Sequence, residues 1–164
     1  MKFISFLILF SSILFLFKCV EEKSEEGNIM LLMEGAQLEI NLEGKKIGNK
    51  NYYTIPIKVG NPGKTFNVQL DTSTSTSWLP SFNCKNCDLS TNLYNPKESK
   101  TSYIISDEKI ELDDEDGDVE GYPIKDNFIL NGYNLQNFSF IQVTELDDKY
   151  RDHYDGKLGL GYRV

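Results

Sequence analysis

From Tyr52 onward the sequence is written in short segments of alternating apolar and polar residues broken by Gly, Pro and Asn, and no 3.6-residue period survives beyond two turns. Tyr52-Tyr53-Thr54-Ile55-Pro56-Ile57-Lys58-Val59 and Thr65-Phe66-Asn67-Val68-Gln69-Leu70 flank Gly60-Asn61-Pro62-Gly63, the pattern of a β-hairpin. Pro56 has no N–H to give to a ladder, so it confines its part of the strand to an edge or an irregular position. Residues 102–105, 109–112, 122–130 ahead of Asn131-Gly132, and 138–143 repeat the theme, which predicts an all-β chain. At 164 residues, 40% hydrophobic and 26% charged, the chain has the composition of one globular domain at most. Residues 21–51 are charged and dotted with glycine; within them Gln37 to Leu42 alternates as a short strand would, so the segment is a linker, a pro-region or a first strand.

The amino terminus is different in kind. After Met1-Lys2 the chain is apolar from Phe3 to Phe17, interrupted only by Ser5, Ser11 and Ser12, and then turns charged at Lys18. This predicts a signal peptide over residues 1–19, with an uncleaved anchor as the rival reading, because no small-x-small cleavage site follows. No later stretch is long and apolar enough to span a bilayer. The remainder is therefore expected to be soluble, without stable membrane association after cleavage, in a secreted or an endomembrane or lysosomal setting that is oxidising.

That compartment governs how Cys84-Lys85-Asn86-Cys87 is read. A small-loop disulfide is the default; zinc or redox chemistry is the alternative, and the latter needs a strand-to-helix context that this polar stretch between Pro80 and Pro96 lacks. Asn137-Phe138-Ser139 is a glycosylation sequon. Removing residues 1–19 takes Lys2 and Lys18 with it and deepens the formal net charge from -8 to -10, which argues against nucleic acid as a partner. Three cysteines and one histidine supply neither a four-ligand structural zinc site nor a two-histidine metalloprotease helix. The run from Asp107 to Glu120 holds nine carboxylates and one lysine, yet with Gly117 as the turn glycine of a calcium loop, positions one and twelve fall on Leu112 and Pro123. A solvated acidic loop, able to steer basic substrates, is the expectation, with no metal and no cofactor. His153 has no nucleophile elbow to serve and reads as a surface residue.

One acid stands out. Asp71 follows the apolar strand ending at Leu70 and precedes the hydroxyl row Thr72 to Ser77, where short hydrogen bonds can hold a carboxylate ionised. On these residues alone a turn-capping Asp is the competing explanation.

The longer context resembles the first catalytic segment of pepsin-family aspartic endopeptidases. The matching residues are Tyr53, the Gly60-Asn61-Pro62 turn, Phe66, Val68 and Leu70, Asp71-Thr72, Ser75, and Trp78-Leu79-Pro80. Cys84 and Cys87, Tyr94-Asn95-Pro96, Ser99 to Tyr103, Gly121, and Asp155-Gly156 with Leu158-Gly159-Leu160-Gly161 follow in order, so the likeness spans about residues 50 to 162. It implies an incomplete N-terminal β-lobe of the pepsin-like acid protease fold over residues 49–164, preceded by a linker or pro-region over 20–48. By the same resemblance Asp71 is catalytic, at the floor of a cleft, and Leu158-Gly159 is the ψ-loop crossing beside its strand. Cys84 and Cys87 form the small disulfide, Thr72 reaches a partner lobe, Thr74 lies near Asp71, and Trp78 supports the flap. The implied chemistry has two aspartates sharing a proton and a water, with a polypeptide as substrate.

Four departures temper that implication. Ser73 stands at a usual glycine, where its Cβ is expected to crowd the backbone approaching the carboxylate. Asp114 falls where the flap tyrosine belongs, and Lys157 replaces the first apolar residue of the crossing, putting a charge at a buried position. No second Asp-Thr/Ser-Gly occurs before Val164, so the resemblance implies that a second lobe is missing, and residues 1–164 are expected to cleave little or nothing by themselves; a homodimer is the other source of a second carboxylate. The principal expectation is a secreted aspartic-type endopeptidase seen as a one-lobe fragment. The alternatives are a catalytically inactive relative that binds peptide or carbohydrate, and a small secreted β domain without a cleft. Residues 20–48, with seven glutamates and three lysines, lack the basic character usual in the family's pro-segments.

Overall fold

The computed structural model describes residues 18–20, 28–33, 36–41, 43–47, 50–87, 92–113, 117–147 and 154–161, with side chains from Tyr52 onward. Residues 1–17, where most of the leader is expected, lie outside this set, as do Asp114 and His153. The chain divides into two compact units, residues 1–40 and 41–164. The first holds a three-stranded sheet in the order β1 (Lys18–Val20), β2 (Asn28–Met33), β3 (Ala36–Asn41), with β1 antiparallel to β2. The alternation at Gln37 to Leu42 falls on β3.

The second unit is nearly all strand: β4 (Glu43–Ile47), β5 (Lys50–Val59), β6 (Lys64–Asp71), β7 (Trp78–Lys85), β8 (Tyr103–Ile104), β9 (Ile110–Leu112), β10 (Val119–Leu130), β11 (Tyr133–Leu146) and β12 (Lys157–Gly159). Among the described residues the only helical element is a 3-10 turn at Pro96–Glu98, so none is long and apolar enough to cross a membrane. The expected hairpin is β5–β6, with Ile57 opposite Phe66 and Ile55 opposite Val68. Pro56 sits where the other edge of β5 changes partner: pairing with β4 ends at Thr54 and pairing with β10 begins at Ile57. The irregular position that a proline demands is this gap. Asn131 and Gly132, both at positive φ, turn β10 into β11 as Asn-Gly does in tight hairpins.

The sheet order is β4-β5-β6-β12-β7-β11-β10-β8. Because β10 also pairs with β5, the path from β5 through β6, β12, β7, β11 and β10 returns to its start. The inward residues Ile55, Ile57, Val59, Phe66, Val68, Ile124 and Phe128 are essentially inaccessible, each contributing on the order of 1.5–3 kcal/mol by burial. A second cluster gathers Trp78, Val119, Ile141, Val143 and Leu146, with Cys84, Cys87 and Tyr154 packed against it. The stretch after Pro80, read from sequence as polar, begins as strand: β7 continues to Lys85 because β11 runs parallel along it, pairing Pro80 with Val143 and Lys85 with Glu145. Cys84 and Cys87 close a disulfide with Cα atoms 5.7 Å apart.

A buried carboxylate anchors the segment between β7 and β8. Asp126 on β10 is wholly inaccessible and accepts from Tyr94 Oη at 2.8 Å, Ser99 Oγ at 3.0 Å, Thr101 Oγ1 at 2.6 Å and its neighbour Asn127 N at 2.8 Å. Burial, and then this carboxylate, push the Tyr94 phenol well above its ordinary range. The Tyr94 to Thr101 stretch thus owes its residue types to an acid that sequence reading passed over.

Candidate active site

Asp71 is the last residue of β6, where the strand leaves the sheet for the hydroxyl-rich segment 72–77. Its position is fixed by β12, which is inserted between β6 and β7, parallel to the first and antiparallel to the second. Lys157, Leu158 and Gly159 lie beside Gln69, Leu70 and Asp71. Leu158 is buried, and Leu160 N donates to the Asp71 carbonyl at 2.7 Å. Gly161 N donates to Thr74 O at 2.8 Å and Gly159 N to Ser77 Oγ at 3.0 Å, stitching the segment after Asp71 onto the crossing. Glycine is required at Gly159, because a Cβ there would lie 2.6 Å from Thr76 O and 2.7 Å from the Ser75 carbonyl carbon. Asp155, which introduces the crossing, accepts from Asn67 N at 2.8 Å and from Asn92 N at 2.9 Å, tying its base to β6.

The carboxylate of Asp71 is 13% exposed and collects donors on both oxygens. Oδ1 accepts from Ser73 N at 2.8 Å and from Ser73 Oγ at 2.6 Å. Oδ2 lies 3.1 Å from Lys157 Nζ, whose side chain is 2% exposed. Burial by itself would raise the Asp71 carboxyl, but the Ser73 hydroxyl, the Ser73 N–H and the Lys157 ammonium outweigh it and hold the group below the usual carboxylate range. The expectation that Ser73 crowds this approach is corrected here. Its backbone N still reaches Oδ1, and its hydroxyl adds a second, short hydrogen bond to the same oxygen. The charge at Lys157 is accommodated by the direct ion pair with Asp71, a pairing that sequence order does not reveal.

A cavity of about 360 Å³ opens over Asp71, lined by Ser73, Thr74, Thr76, Trp78, Leu112 and Asp113. Thr74 Oγ1 accepts from Thr76 N at 3.1 Å, which orders the segment beneath it. Thr72 is exposed at the strand end. Trp78 is buried, its ring 6.5 Å from that of Tyr154, and forms one wall. Leu112 and Asp113 in the lining come from the end of β9, which is paired to β10 with Leu112 opposite Val119 and Ile110 opposite Gly121. Asp114, aligned with the flap tyrosine, lies outside the described residues, although its neighbours Leu112 and Asp113 border the cavity. Asn137 is exposed at positive φ, its N donating to Asn127 Oδ1 at 3.2 Å.

Comparison with known proteins follows the same lines. The sequence profile of the family described as eukaryotic aspartyl protease matches residues 52–164. Plasmepsin IV of Plasmodium falciparum is 35% identical over 111 residues, covering 65% of this chain and 24% of that protein. Rhizopuspepsin of Rhizopus chinensis is 33% identical over 121 residues, covering 70% of this chain and 30% of its own. Gastricsin of Cavia porcellus is 30% identical over 109 residues, 65% of this chain and 27% of its own. The chain thus spans about a quarter of the length of the curated relatives it matches. With the match extending from the β5–β6 hairpin through the crossing at Leu158-Gly159, the chain belongs to the eukaryotic aspartyl protease family.

Proposed function

We propose that the protein is a secreted aspartic-type endopeptidase in which Asp71 is one of two carboxylates that activate a water against a peptide carbonyl. The observation that carries this reading is the carboxylate of Asp71 at the end of β6, met by Ser73 and Lys157, which hold it below the usual carboxylate range, and lining a cavity with Trp78 and Leu112. An ionised carboxylate there accepts a proton from the water as it attacks, while a protonated partner donates toward the carbonyl oxygen. One carboxylate cannot hold both roles, so a second lobe or a second copy of the chain supplies the other. Thr72, exposed beside Asp71, is the residue available to meet that partner; Ser73 orders the carboxylate from within the lobe, and Thr74 orders the segment that follows. A polypeptide is the substrate, and the acids Glu111, Asp113, Asp118 and Glu120 about the β9–β10 turn favour basic residues in it by steering. The Cys84–Cys87 disulfide supports an oxidising compartment, secreted or lysosomal, entered through a leader over residues 1–19.

A specific observation also favours a second reading, a relative that binds peptide without cleaving it: the ammonium of Lys157 occupies one side of the carboxylate. The two are separated by incubating the protein, assembled with its second carboxylate, with an unfolded protein substrate from pH 3 to 7. Acid-dependent cleavage is expected; saturable peptide binding with no turnover at any pH supports the second reading.

A further inference from the structure

We propose that Lys157 is an internal counter-ion of Asp71: a positioning residue, carried by the lobe itself, that fixes the negative charge on Asp71 and leaves the shared proton of a carboxylate pair to the partner. The inference rests on the reading of Asp71 as one of two reacting carboxylates.

The register makes the contact. β12 runs parallel to β6 with Lys157 beside Gln69, two residues before Asp71. Two residues of strand amount to about 6.6 Å, a span that a four-carbon stem and its ammonium cover and a branched aliphatic side chain does not. An ammonium that is 2% exposed is costly to bury unless a negative group meets it, and Asp71 Oδ2 does so at 3.1 Å. Ser73 occupies the other oxygen with two donors. The groups on the carboxylate are therefore the Lys157 ammonium from β12 and the N–H and hydroxyl of Ser73, while Thr74 and Thr76 line the cavity beside it. Asp113, from the end of β9, lines the same cavity. Against burial, the Ser73 hydroxyl and N–H and then the Lys157 ammonium prevail, and the carboxyl lies below its ordinary range.

The consequence lies in how a pair divides its proton. Two carboxylates about 3 Å apart cannot both ionise, and in a symmetric surrounding either can hold the proton. A cation fixed against one of them breaks that symmetry. Asp71 becomes the base, its partner the acid, and both titration steps of the pair move to lower pH together.

The test reads Asp71 directly. In the full chain, the side-chain carboxyl ¹³C resonance of Asp71, assigned with Asp71→Asn, is followed against pH in the wild type, Lys157→Met and Lys157→Arg. The wild-type midpoint is expected below the ordinary carboxylate value, that of Lys157→Met at least about one pH unit higher, and that of Lys157→Arg close to wild type. A Lys157→Met midpoint equal to the wild-type one overturns the proposal. Should the methionine variant fail to fold, the ¹⁵Nζ signal of Lys157 in the wild type must shift with the same midpoint as Asp71, and a signal indifferent to that titration overturns the proposal equally. In the assembled enzyme, Lys157→Met should move both limbs of the kcat/KM profile to higher pH. Limbs that stay in place while the carboxyl midpoint moves overturn the assignment of roles. Absence of turnover in both forms, with the midpoint shifted as expected, defeats the protease reading and leaves the counter-ion standing.

Discussion

Replacing Asp126 with alanine should produce a large loss of stability, and the structure sets its size. Four donors converge on this one inaccessible carboxylate: Tyr94 Oη, Ser99 Oγ, Thr101 Oγ1 and Asn127 N. Stranding a buried donor costs about 1–3 kcal/mol, and hydrogen bonds to a charged acceptor lie at the upper end. Tyr94 is 3% exposed, whereas Ser99 and Thr101 are only half-buried and recover part of their loss by hydration. Counting Tyr94 in full, the other donors in part, and subtracting the relief of no longer burying a charge gives about 3–4 kcal/mol. For a lobe slightly above 100 residues that lowers Tm by about 12–16 °C, measured by calorimetry or far-UV circular dichroism. Tyr94→Phe, which removes one donor and leaves the carboxylate its other three, should cost about a third of that. An Asp126→Ala variant melting within about 4 °C of wild type would refute the view that this network pins the Tyr94 to Thr101 segment to β10.

Three further outcomes are expected. Because donors hold the folded Asp71 carboxyl below its ordinary value, the stability it contributes is complete above about pH 3.9 and is lost as pH falls through its folded value; urea unfolding against pH should therefore show a shallower acid decline in Asp71→Asn than in wild type. Gly159→Ala presses a methyl group on the backbone at Ser75 and Thr76, which should cost about 1–3 kcal/mol and shift the amide resonances of residues 73–77, while leaving those of the β10–β11 hairpin in place. Expressed through a secretory pathway, Asn137→Gln should lower the mass of the protein by one glycan, as read by mass spectrometry.

Much of the lobe could be read before its coordinates, and the parts that could differ in kind from those that could not. The β5–β6 hairpin and the Asn131-Gly132 turn are local: their strands alternate, their turn residues carry the required backbone conformations, and their partners are neighbours in sequence. Residues 81–85 escaped because the strand there is made by a partner some sixty residues away in β11, and its own side chains are mostly polar. Asp126 escaped for a similar reason. One acid in an alternating strand looks like any outward residue until Tyr94, Ser99 and Thr101 fold over it. The placement of Trp78 and Leu158-Gly159 about Asp71 was legible through resemblance to a family, whereas the residues around Asp71 alone left a turn cap as the competing explanation. Ser73 and Lys157 were visible as departures, and the buried charge at Lys157 was expected, but the contact of each with Asp71 was not. Seen singly, one is a misplaced side chain and the other a buried charge; Ser73 reaches the carboxylate through the local turn after Asp71, and Lys157 through the register of β12 against β6.

The most direct measurement of the central claim is kcat/KM toward an unfolded polypeptide for Asp71→Asn against wild type, in the protein assembled with its second carboxylate and verified as folded by circular dichroism. Loss of at least about a thousandfold is predicted, since the variant keeps the cavity and removes the base. An Asp71→Asn protein that still cleaves at a rate comparable to wild type would contradict the account.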